Sequence, residues 1–283
     1  MIGEFAASWP LFHHAYLAGW LIAVLLALLG VLVVARNQIF IGAAVAQAST
    51  LGIAVGMWAG AVLGSEVLRG DHAHGALSLV GVLFAIAAAL FTARDGGAGG
   101  TREAATGWVF LASASLAIIV LAHSPHGLEE IHHLLSSSII GATPADVWTF
   151  AALAAVSLAV VAATRDRLLL LAFDPAMAAA VGMRPAWWGA ALAVWLGLVM
   201  GLAMRATGLL YAFGNLVLPA IAAASLCRES RSLFWAAPAI ALVCAVVGFI
   251  LANHYDDPPG QMAVVVQAAA VAAAWAWRRA VVR

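Results

Sequence analysis

Apolar runs of about 20 residues, parted by short polar stretches, recur along almost the whole chain, at roughly 17–35, 39–63, 76–93, 105–122, 146–164, 187–204, 208–226, 233–252 and 262–280. A helix of that length rises about 30 Å, enough to cross the hydrocarbon of a bilayer with its backbone N–H and C=O groups satisfied internally. The pattern predicts an all-α integral membrane protein: a polytopic helical bundle of about nine transmembrane helices, alternatively eight, forming one domain over 1–283.

Composition closes off the soluble alternatives. With 65% hydrophobic residues, 9% charged residues and a mean hydropathy of +1.03, too little polar surface exists to cover a globule in water. The chain has no lysine, so its 13 arginines carry the whole orientation signal. In the nine-span reading Arg36, Arg94, Arg102, Arg165, Arg167, Arg184, Arg228, Arg231, Arg278, Arg279 and Arg283 fall on one side, and Arg69 and Arg205 on the other. The first side is then cytoplasmic, with the N-terminus outside and the C-terminus inside. An eight-span count reverses the N-terminus. Nothing basic precedes Arg36, so the first span lacks the positive n-region of a cleavable signal peptide and is expected to remain in the mature protein.

All nine histidines lie outside in this reading, in loops shared with Glu66, Asp71, Glu129, Glu130, Asp256 and Asp257. Imidazole and carboxylate suit divalent transition metals. Asp71, His72 and His74 in DHAH, Glu129, Glu130, His132 and His133 in EEIHH, and His254 are therefore candidates for loose external metal capture. No fixed four-ligand spacing accompanies them, and simple solvation of the outer loops is the alternative.

On the cytosolic side, AFDPAMAAAVGMRP (Ala172 to Pro185) is a polar break flanked by Arg165, Arg167 and Arg184. Asp174 followed by Pro175 reads as an N-cap and first helical position, MAAA favours helix, and Gly182 is a stop. One short helix is expected, a rigid knob for a partner. Gly52, Gly56, Gly60 and Gly64, and then Gly189, Ala193, Gly197 and Gly201, make flat helix faces suited to close packing. Pro219 is expected to kink or unwind its helix and free a carbonyl, and Asp257 to Gly260 to form a rigid turn. Ile131 to Asp146 is too short and polar to cross and should lie outside as a short helix ending near Gly141. Arg94 to Glu103 reads as a flexible cytosolic linker.

Together these features resemble the permeases of ABC importers of the zinc, manganese and iron family. The resemblance is carried by FDPAMAAAVGM (Phe173 to Met183), EAATGWVF (Glu103 to Phe110), Thr207-Gly208-Leu209-Leu210, Pro219-Ala220 and HYDDPPG (His254 to Gly260). It implies a fold like that of the type II ABC importers, with Phe173, Asp174, Pro175, Ala178, Ala179 and Gly182 as the loop that couples to the ATPase. It also implies an ATP-binding subunit, a second permease copy in a homodimer or heterodimer, and an extracytoplasmic solute-binding protein, at the cytoplasmic (inner) membrane of a bacterium. The family's Gly-Asn pair in the outer segment aligns with Ser137 and Ser138. Near the start of the second span the family carries Asp and, four residues on, His; here Ala43 and Gln47 stand in those places.

No charged side chain lies well inside any of the nine runs; the polar interior candidates are Gln47, Ser49, Thr50, Ser113, Ser115, Tyr211, Asn215, Ser225 and Gln267, all neutral. Gln47, Ser49, Thr50, Asn215 and Pro219 are the translocation-pathway candidates. Taking an unpaired ion out of water costs on the order of tens of kcal/mol by the Born estimate, which amides and hydroxyls offset poorly for a transition metal. The metal then passes hydrated, or as a chelate or different small solute, or meets ligands supplied by a non-identical second permease.

A P-loop needs a lysine to hold phosphates, so ATP is expected on a partner subunit and no cofactor on this chain. H-E-x-x-H and G-x-S-x-G are absent, and Cys227 and Cys244 lack metal-ligand spacing, so no enzyme is expected. The sequence thus reads as the permease subunit of an ATP-driven ABC transporter for uptake of zinc, manganese or iron by alternating access. Its surroundings would be lipid and no nucleic acid. A permease for a chelate or other small solute is the alternative, as is a secondary transporter, which would need coupling-ion sites in the interior.

Overall fold

The computed structural model describes residues 2–63, 73–94, 99–123 and 139–281. They form nine α-helices: α1 (Ile2–Ala35), α2 (Ile41–Leu63), α3 (Ala73–Arg94), α4 (Gly99–Ala122), α5 (Pro144–Phe173), α6 (Pro175–Ala180), α7 (Pro185–Leu226), α8 (Leu233–Tyr255) and α9 (Pro259–Val281). A 3-10 turn at Ile139–Gly141 precedes α5. Among the described residues, eight helices are long and apolar enough to cross a membrane. The difference from nine runs lies in α7, whose 42 residues contain the sixth and seventh runs together. A continuous helix of that length would measure about 63 Å, twice the thickness of the hydrocarbon. Gly208 interrupts it, at φ 78° and ψ 172°, a conformation that glycine alone adopts freely. The unwinding expected at Pro219 is not there: α7 keeps helical dihedrals at Pro219, and the break falls at Gly208 instead.

The chain sorts into two compact units. One comprises Met1–Ile39, Ser138–Met183 and Leu210–Arg283, the other Phe40–Ser137 and Arg184–Leu209. In the second unit α2 packs along α3 and α4. A Cβ added at Gly52 would come 2.8 Å from the Phe84 side chain, and one at Gly56 2.8 Å from Leu77, so the first glycine face lets α3 lie close. The other glycine face meets α3 too: a Cβ at Gly197 would sit 2.6 Å from Ile86 Cα, and at Gly201 3.0 Å from Val82 Cα. Between α2, α3 and α4 the buried side chains are mostly small, as at Ala44, Ala48, Ala54, Ala88 and Ala117.

In the first unit α1 is central, packing on α5 and α8, while α9 packs on α8. Ile22, Leu25, Leu26 and Leu28 of α1 are fully buried. The helix begins well before the first apolar run. Polar Ser8, His13 and His14 break the run, but an aromatic ladder carries the helix through them, with Phe5 stacked on Tyr16 at 4.6 Å and Trp9 against Trp20 at 6.0 Å. The start of α5 is fixed by Pro144 and a capping box, Thr143 Oγ1 accepting from Asp146 N while Asp146 Oδ2 accepts from Thr143 N. This helix continues past the expected end at 164, through Arg165 and Arg167 to Phe173, because charge ends an apolar run without ending a helix. Likewise α4 begins at Gly99, inside the expected linker.

The first unit is polarised. His254 Nδ1 lies 2.8 Å from Glu4 Oε2, so α1 starts where α8 ends. The opposite end gathers the last turns of α1, α5 and α7 with the start of α8. Arg36, Arg165, Arg231, Arg278 and Arg279 belong to this end, and Glu4, Asp256 and Asp257 to the other. Exposed Trp235, Trp275 and Trp277 mark the basic end and exposed Trp148 the acidic one, the positions aromatic side chains take at two membrane interfaces.

Candidate functional site

Short helix α6 stands at the basic end. Asp174 closes α5 and caps α6 at once: its N–H donates to Leu170 O at 2.9 Å, and its Oδ1 accepts from Met177 N at 2.9 Å. Pro175 occupies the first helical position, and Gly182 ends the element with φ +84°. Six residues are too few for a helix to persist alone, so the caps and packing must hold it. Ala178 does the packing, with 0% exposure. Its methyl is turned into the chain, and the exposed side chains around it include Phe173, Met177, Ala179 and Val181. The identical methyls of MAAA gave no hint of which one turns inward.

Beside this helix is a cavity of about 450 Å³, walled by the end of α1 from Val31 to Asn37, by Ala172 and Phe173, and by Ala220, Ala224 and Leu233. Asn37 adopts the left-handed conformation, φ 54°, which turns the chain out of α1. Asp166 lies 3.1 Å from Arg231 and 3.9 Å from Arg165, all three well exposed, so the pairing is screened and contributes little stability.

The pathway candidates divide between the units. Gln47, Ser49 and Thr50 are buried on α2 in the second unit, Thr50 returning its hydroxyl to Ala46 O at 3.2 Å, and Ser49 Oγ meeting no partner. Ala43 is buried on the same helix. Asn215 and Pro219 are buried on α7 in the first unit. There Asn215 is joined to Gln267 of α9 at 2.7 Å, and Tyr211 to Gly19 O of α1 at 2.9 Å. Sequence reasoning marked Gln267 and Tyr211 only as polar residues in apolar runs; nothing along the chain announces partners 52 and 192 positions away.

Of the external capture candidates, Asp71, His72, Glu129, Glu130, His132 and His133 lie outside the described residues, as does the side chain of His74. His254 is paired with Glu4, one imidazole with one carboxylate. Among the described residues no three His, Cys, Asp or Glu side chains come together as a metal-holding group.

Comparison with known proteins agrees with this architecture. The model of the ABC 3 transport family matches residues 8–277. The chain is 24% identical over 271 residues to the manganese import system permease protein ScaB of Streptococcus gordonii, covering 95% of this chain and 92% of that one. It is 26% identical over 155 residues to the probable iron transport system membrane protein of Haemophilus influenzae, covering 55% of this chain and 57% of that protein's length. The solved structure of PsaBC from Streptococcus pneumoniae in complex with Fab superposes with a TM-score of 0.78 at 20% identity, covering 97% of this chain and 95% of the other. That likeness establishes the helical fold, and the family match covers nearly the whole chain. The chain belongs to the ABC 3 transport family, as a multi-pass permease of the bacterial inner membrane.

Proposed function

We propose that this chain is the permease subunit of an ATP-driven importer for a divalent transition metal, manganese or iron before zinc, working by alternating access. The observation that carries the proposal is α6. A short, doubly capped helix with exposed Phe173, Met177 and Val181, held by buried Ala178 at the arginine-rich end, is a rigid apolar knob presented to the cytosol. An apolar knob in water calls for a partner, and an ATP-binding subunit is the partner that an ABC permease needs. ATP is held there, and this chain binds no cofactor. Phe173, Asp174, Pro175, Ala178, Ala179 and Gly182 form the joint, with Ala178 as its inward anchor, and Gln47, Ser49, Thr50, Asn215 and Pro219 belong to the route. A second permease copy and an outer solute-binding protein complete the assembly. The named cargoes of the relatives support a metal.

Met177→Glu tests the joint. Copurification of the ATP-binding subunit and metal uptake should both be lost while the chain still inserts; retention of both refutes it. Competition of manganese, iron, zinc and nickel in the reconstituted complex tests the cargo. A second reading, uptake of a metal chelate or another small solute, is favoured by Ala43 and Gln47 on α2, neither of which can neutralise a dication.

A further inference from the structure

In the first unit three helices are joined by neutral hydrogen bonds deep in an apolar interior. The Tyr211 hydroxyl donates to Gly19 O at 2.9 Å, Asn215 Nδ2 to Tyr211 O at 2.9 Å, and Gln267 Nε2 to Asn215 Oδ1 at 2.7 Å. The sense of this chain is forced. A main-chain carbonyl only accepts, so Asn215 must turn its nitrogen to Tyr211 and its oxygen to Gln267, and Gln267 must answer with its own nitrogen. Gln267 Oε1 is thereby left at the end, buried and without a donor, on a residue 1% exposed. The main-chain carbonyl of Asn215 also lacks its usual helical donor, because Pro219, four residues on, has no N–H.

An amide oxygen with no donor is costly in a protein surrounded by hydrocarbon, and buried polar groups that lack a protein partner are generally met by ordered water. The two oxygens also select their ligand. Both only accept, so the ligand must donate. No Asp or Glu occurs in 17–35, 210–226, 233–253 or 261–277, so a cation there would have no opposing charge on these helices. We propose that Asn215 and Gln267 form a site for one resident water molecule, which gives α7 the hydrogen bond that Pro219 cannot. A turn closed by an exchangeable water bends more readily than one closed by a main-chain N–H, so Pro219 becomes a second compliant point of α7 after Gly208.

The test uses the full chain in lipid nanodiscs, at a resolution that shows ordered water. A density peak within about 3 Å of Gln267 Oε1 is expected, with or without added manganese. An empty position overturns the proposal, and so does a peak present only with manganese, which would make the pair a cargo contact. A double-mutant cycle gives an independent reading. Gln267→Met should raise the unfolding constant by a factor about fivefold larger than the same change made once Pro219→Ala has restored the N–H. Equal factors in both backgrounds would mean that no ligand is shared.

Discussion

Buried threonines of the second unit bond within their own helices, whereas some buried polar groups of the first reach from one helix to another. In the second, Thr50, Thr92 and Thr207 turn their hydroxyls back to carbonyls of their own helices, at Ala46, Ala88 and Ala203. Such bonds satisfy the hydroxyl and hold no helix to another, while the close contacts of α2 and α7 with α3 bring the helices together. In the first unit Tyr211 and Gln267 reach across to α1 and α7. Close packing joins α2, α3 and α7 in the second unit, and polar side chains join α1, α7 and α9 in the first, so the two should fail differently under substitution.

The largest expected effect tests the close packing of the second unit. Gly197→Leu would drive a side chain into the Ile86 backbone, which cannot yield, so we expect a loss of about 3 kcal/mol or more in reversible unfolding from detergent micelles. A loss near zero would mean that α3 is loosely held and the contrast is false. Next, on the bonded side, Gln267→Leu strands Asn215 Oδ1 and should cost about 2 kcal/mol in the same assay. Tyr211→Phe removes one bond to Gly19 O and keeps the ring, so about 1 kcal/mol is expected, toward the upper range for such bonds between membrane helices.

What the sequence made legible follows the same division. Asp174, Pro175 and Gly182 were readable because a cap and a stop act within four residues of themselves, and the structure has all three as expected. The glycine faces were readable as faces, but that both meet α3 was not. The start of α1 was missed because its support comes from ring stacking among Phe5, Trp9, Tyr16 and Trp20, which hydropathy does not register across Ser8 and His13. The Asn215–Gln267 pair was illegible for a deeper reason: both residues look alike in sequence to Gln47, which is buried in the other unit.

The smallest expected effect has the opposite sign. Ser49 is fully buried on α2, and its Oγ meets no partner. Gly81 of α3 presses on it so closely that a Cβ there would stand 3.0 Å from Oγ, leaving little room for a water on that side. Ser49→Ala keeps the Cβ that fills the contact and removes a desolvated hydroxyl, so stability should rise, by about 0.5 kcal/mol. The sign is what matters. If Ser49→Ala instead destabilises as much as Tyr211→Phe does, the hydroxyl is bonded across to α3 in the membrane, and the second unit is bonded between helices like the first. Uptake measured alongside separates two roles: a variant that is more stable yet transports more slowly places the Ser49 hydroxyl on the route of the cargo, whereas unchanged uptake leaves it a packing residue.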